Sequence, residues 1–187
     1  MTSTQRTVRN LTVAALVFQG VHFVEHTAQL IYWLFHPTQM PWMTPWAIAG
    51  RDLLAVDGTP RGGTEILHLL GNVIFFGGLI GMVLIAGYAG YKMKRVPYLR
   101  EAVILQGFHV AEHVLLTVSY LTWGTVIGVT TVFGAASGVF ESSLRVWSHF
   151  LLNLVATYYA VRAIRAMYRK GLFSFTPTTA TRELASR

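Results

Sequence analysis

The chain has 187 residues, 53% hydrophobic and only 12% charged, whereas a soluble domain carries about 25% charged residues. That balance excludes an ordinary water-solvated globule, and the lack of cysteine excludes disulfides, zinc fingers, thiolate clusters and thiol nucleophiles. The formal charge of +7 would suit a nucleic-acid binder only if Lys and Arg gathered on one groove or helix; their distribution points elsewhere, and no nucleic-acid partner is expected.

Taken in chain order, four stretches reach the roughly 20 apolar residues that a bilayer requires: Asn10 to Phe35, Thr64 to Tyr91, Tyr98 to Trp123, and Ser143 to Met167. The first is apolar for too long to be a cleaved signal peptide and is expected to stay and span. In lipid each backbone must satisfy its own hydrogen bonds, so all four are expected to be helices. The fold class is therefore all-α: a single-domain integral membrane four-helix bundle.

The outer connections, Pro37 to Gly63 and Gly124 to Phe140, are partly apolar but too short or too Gly-rich to span, and read as interfacial or re-entrant segments. The Thr-rich end from Phe173 to Arg187 reads as a mobile cytoplasmic tail. The side holding both termini would carry Arg6, Arg9, Lys92, Lys94, Arg95, Arg100, Arg162, Arg165, Arg169, Lys170, Arg182 and Arg187, against Arg51, Arg61 and Arg145 opposite. The positive-inside bias then makes the protein multi-pass, in the plasma membrane, with both termini cytoplasmic. Trp33, Trp42, Trp46, Trp123 and Trp147 gather near the outer interface as an aromatic belt. Gly77, Gly78, Gly81, Gly87 and Gly90 would let another helix approach closely.

Inside the apolar stretches the sequence repeats itself. Gln19-Gly-Val-His22-Phe-Val-Glu25-His26 recurs 87 residues later as Gln106-Gly-Phe-His109-Val-Ala-Glu112-His113, both reading Q-G-x-H-x-x-E-H. His68 with Asn72 recurs 81 residues later as His149 with Asn153, both reading H-x-x-x-N. The chain thus reads as two parallel two-helix repeats, about residues 10–91 and 98–170, related by an axis along the membrane normal.

Helical spacing puts Gln19, His22, Glu25 and His26 on one stripe, and Gln106, His109, Glu112 and His113 on another. Ionisable groups within a bilayer are costly unless paired or coordinating. Two His one turn apart can grip one ion, and a third His from the next helix with a Glu completes four ligands. The expected sets are His22, Glu25, His26 and His68, and His109, Glu112, His113 and His149, holding two transition-metal ions in the outer half of the bundle. Iron is favoured by the mixed donors, with copper or zinc as alternatives. Gln19, Gln106, Asn72 and Asn153, one turn away, are expected to bind near this cofactor by fixing imidazole tautomers. Glu65 is a further ligand candidate at the rim, and His36 reads as a surface residue.

The arrangement is similar in logic to di-iron bundle proteins, whose carboxylates and histidines project inward from four helices. His22 to His26 and His109 to His113 also resemble the H-x-x-E-H signature of inverzincins, which implies zinc and a Glu general base. Haem is a rival, with His26 and His113 or His68 and His149 as axial pairs. The expected function is a membrane oxidoreductase acting on a small or lipophilic substrate, with Glu25 or Glu112 moving protons as the catalytic groups. The alternative is a non-catalytic metal- or haem-binding accessory subunit of a larger membrane complex; a permeation path would need polar residues continuing below the His layer.

Overall fold

A computed structural model describes residues 2–36, 43–129 and 141–173, the side chains of 141–146 excepted. Among the described residues there are five α-helices and no strand: α1 (Ser3–Phe35), α2 (Pro45–Leu53), α3 (Pro60–Tyr88), α4 (Leu99–Trp123) and α5 (Glu141–Arg169), with a short 3-10 turn at Met93–Arg95 before α4. The expected re-entrant character of residues 130–140, the tail from 174 onward and the belt position of Trp42 lie outside the described residues.

The helices begin earlier than apolar length alone suggests, because polar caps start them. Thr2 accepts from the Gln5 amide at 3.2 Å while Gln5 accepts from the Thr2 amide at 2.9 Å, a reciprocal box that satisfies two otherwise orphaned donors. Thr59 likewise accepts from the Gly62 amide at 3.0 Å ahead of Pro60, whose fixed φ suits a first helical turn. Thr44 and Pro45 repeat the device at the start of α2, so part of the first outer connection is a short helix lying against α3.

The start of α4 is unlike the others. Tyr98, just after Pro97, has φ 67° and is the one non-glycine residue with positive φ among those described. Such a conformation costs about 1–3 kcal/mol. Its ring is held from two sides: stacked on Tyr159 at 6.0 Å and covered by the Arg162 guanidinium at 4.8 Å.

The four long helices close a ring, with α1 and α4 each packed against both α3 and α5. The α1–α3 approach is tight. A Cβ on Gly78 would lie 3.0 Å from Ala15 Cβ, one on Gly71 would lie 3.1 Å from the His22 ring, and one on Gly81 would strike Thr12 Oγ1. Gly77, Gly87 and Gly90, expected to serve the same packing, have nothing within 4 Å of such a Cβ; they face away from the ring or end the helix.

The ring is apolar at one end and polar at the other. Phe75, Leu79, Met82 and Ile85 of α3, Leu99 and Ala102 of α4, and Ala156, Ala160, Ala163 and Met167 of α5 form one buried cluster. Above it most of the buried side chains are polar, amides, imidazoles and carboxylates among them. The outward faces are apolar: Leu11, Val17, Val21 and Val24 on α1, Ile104 and Leu115 on α4, and Leu151 on α5 are all about half exposed or more. Among the described residues two helices, α3 and α4, are long and apolar enough to cross a membrane.

Candidate metal centre

Three polar layers follow one another up the ring from the apolar cluster. The lowest is made of amides. Gln106 of α4 donates to Asn72 Oδ1 of α3 at 2.9 Å, and Gln19 of α1 donates to Thr157 Oγ1 at 3.0 Å and to Asn153 Oδ1 of α5 at 3.4 Å. Asn72 donates to the carbonyl of His68 at 2.9 Å, and Asn153 to the carbonyl of His149 at 3.0 Å. Corresponding residues of the two motifs thus make corresponding bonds. The expected contact from an amide to a His ring nitrogen is limited to Asn153 Nδ2 and His149 Nε2, 3.5 Å apart; the four amides chiefly tie the helices together. Gln19 Oε1 and Gln106 Oε1 remain buried with no partner among the described residues.

One turn higher stand six imidazoles. His109 Nε2, His113 Nε2 and His149 Nδ1 form a triangle with edges of 3.0, 3.2 and 3.2 Å. On the other side, His26 Nε2 lies 2.9 Å from His22 Nε2 and 3.0 Å from His149 Nε2. His68 stacks on His26 at 5.6 Å and on His113 at 5.8 Å. Two groups have ligand atoms within 4.8 Å of one another and can hold a metal ion: His26, His68 and His149, and His109, His113 and His149.

Hydrogen bonding alone does not satisfy such a triangle. Each edge needs one donor and one acceptor, and three mutually adjacent nitrogens always leave one edge with two hydrogens or two lone pairs. A cation accepts all three lone pairs together. The size also suits one: a tetrahedral ion with nitrogens at about 2.0 Å holds them roughly 3.3 Å apart. At two of the rings the outer nitrogen is committed to an oxygen. His68 Nδ1 donates to the Thr64 carbonyl at 2.9 Å, and His26 Nδ1 to Gln29 Oε1 at 3.0 Å, which turns each Nε2 lone pair inward as metal-binding histidines are turned by their neighbours.

The carboxylates form the third layer and point up, away from the imidazoles. Glu25 Oε1 accepts from the Thr44 amide at 3.0 Å and from Gln29 Nε2 at 3.3 Å. Glu112 Oε2 accepts from the Val129 amide at 2.9 Å. Each motif thereby ties the outer segment that follows its own helix to the top of the ring. Neither Glu belongs to a metal-capable group among the described residues, nor does Glu65, although it is buried one turn before His68. His22 touches His26 but is in neither group, and His36 is exposed.

Two contributors escaped the sequence reading. Gln29 continues the α1 stripe one turn beyond His26 but has Leu116 at the matching position of the second motif, so a search for paired residues passes it over. Ser119 accepts from the Ile127 amide at 2.8 Å and has no such pattern to mark it.

Fold and site together define an all-helical protein with clustered histidines able to hold metal. Residues 2–177 match the family model described as a family of unknown function, DUF6008, and the chain belongs to that family. No curated protein and no solved structure matches it.

Proposed function

We propose that this protein is an integral membrane metalloprotein whose four long helices all span the bilayer and carry a dinuclear, His-ligated centre in the outer half, and that it acts as an oxidoreductase on a small or lipophilic substrate. The observation that carries the reading is the pair of three-imidazole groups, buried or half-buried, inside a ring whose outward faces are apolar. Polar within and apolar without is the distribution that lipid favours, since it offers no partner to a buried imidazole or amide. The cationic residues at the end holding the α3–α4 turn support a cytoplasmic placement of that end and of both termini. The matching amide and carboxylate bonds of the two motifs support descent from a duplicated two-helix unit.

Three imidazoles leave an ion with open coordination positions, as catalytic centres require and closed structural sites do not. With the carboxylates turned upward, the donors are imidazoles alone. That moves the preferred metal from the iron expected of a mixed His/Glu set to copper or zinc, and an oxidoreductase selects copper. Haem requires a flat macrocycle between two axial nitrogens; of the two axial pairs, the His68 and His149 rings stand edge to face with centres 5.1 Å apart, which does not favour one between them.

The test is elemental analysis and absorption spectroscopy of the full chain purified in detergent and loaded with copper or zinc. Two ions per chain and no Soret band are expected, with both ions lost when His26, His68, His109 and His113 are all replaced by Ala. Equal metal content in that variant overturns the site. Copper-loaded protein that fails to oxidise a lipophilic quinol in air overturns the redox assignment alone.

A further inference from the structure

We infer that His149 bridges the two ions, binding one through Nδ1 and the other through Nε2 as an imidazolate; the inference rests on the metal-centre reading above and specifies how its two halves are joined. His149 is the one residue common to both metal-capable groups. Its two ring nitrogens face opposite ways into them: Nδ1 lies 3.0 Å from His109 Nε2 and 3.2 Å from His113 Nε2, while Nε2 lies 3.0 Å from His26 Nε2.

The hydrogen bonds around the rings separate this residue from His26 and His68, and its place in both metal-capable groups separates it from the others. His26 and His68 each commit Nδ1 to an oxygen acceptor and so present a single lone pair inward, as terminal ligands do. Neither nitrogen of His149 meets an oxygen among the described residues. Its Nε2 has instead the Asn153 amide nitrogen at 3.5 Å, a donor, which would support a lone pair there and cannot accept a hydrogen. A neutral imidazole has one N–H and one lone pair, so in this setting its N–H would always point into a nest of other imidazole nitrogens. Removing that hydrogen gives a lone pair at each end, matched to one ion on each side.

The balance is simple. When the second ion binds, a metal–nitrogen bond forms, the remaining N–H bond of His149 breaks, and its proton leaves to water. Nothing is oxidised or reduced. With metal–nitrogen bonds of about 2 Å, the two ions would stand roughly 6 Å apart, too far to share one small oxygen ligand, so the ring itself is the link.

The experiment is electron paramagnetic resonance of the full chain loaded with two equivalents of Cu(II). An imidazolate bridge couples the two spins antiferromagnetically, so the expected result is two coppers per chain with signal intensity falling on cooling and a half-field transition. His149→Ala is expected to abolish the coupling and to weaken binding of both ions by about tenfold or more, whereas His26→Ala weakens chiefly one. Two bound coppers with independent spins overturn the bridge and leave the dinuclear metal reading standing; a single bound copper overturns the bridge and the dinuclear centre together, and no bound copper overturns the metal site altogether. The wild-type spectrum decides the matter even if His149→Ala fails to fold.

Discussion

At the scale of single residues, the two glutamates show how position on a stripe differs from direction. Glu25 and Glu112 share a helix face with their histidines, and a carboxylate beside two imidazoles reads as a third ligand. In the structure one oxygen of each reaches instead for a backbone amide of the next outer segment, Thr44 or Val129. Such a bond to a charged acceptor contributes about 1.5–3 kcal/mol, which is the more valuable where lipid or a packed interior supplies no water in its place. Glu112→Ala is therefore expected to accelerate hydrogen exchange at the Val129 amide by about ten- to a hundredfold, with exchange at the Ala156 amide of α5 unaltered; unchanged protection at Val129 would show that the contact does not hold the segment. The same substitution is expected to retain bound metal. The sequence marked which residues matter here, but nothing in it told a ligand from a latch, because the deciding partner is a main-chain N–H in another segment.

At the scale of helices, legibility followed the solvent of each part. The four long helices could be read as helices from the sequence, though among the described residues only α3 and α4 are apolar enough to cross a membrane; helix starts were set by Thr2 with Gln5 and by Thr59, polar caps that hydropathy discards. Glycine was legible as a residue of close packing but not as to which glycine. Gly81 meets Thr12 across the α1–α3 contact, while Gly87, two turns on, meets nothing within 4 Å. Gly81→Ala is expected to cost about 1–3 kcal/mol through overpacking, seen as a lowered unfolding temperature in detergent. Gly87→Ala is expected to leave that temperature unchanged or raise it, since Ala favours a helix. Equal effects from the two would mean that α1 and α3 do not approach as closely as described.

At the scale of the whole molecule, the six imidazoles that spacing singled out do converge on one layer, but they divide differently from the expected pairing by repeat. His109 and His113 meet His149 as expected, whereas the first group draws on the same His149 alongside His26 and His68, and omits His22. Identical H-x-x-x-N motifs cannot reveal this, because which histidine lies nearer the centre depends on how four helices close their ring. Sidedness can be tested simply, since the chain has no cysteine. A single Cys at Lys94 is expected to react with an impermeant thiol reagent only from the cytoplasmic side, and one at Asp57 only from the other; labelling of both from one side would overturn the proposed four crossings. The buried cluster from Phe75 to Ile85 and from Ala156 to Met167 has a physiological corollary in the proposed orientation. In that orientation hydrocarbon side chains would fill the passage between the histidines and the cytosol, and the cell's internal metal pool would have no direct route to them. Supply, scavenging and poisoning of the centre would all be governed by whatever the surroundings of the cell deliver.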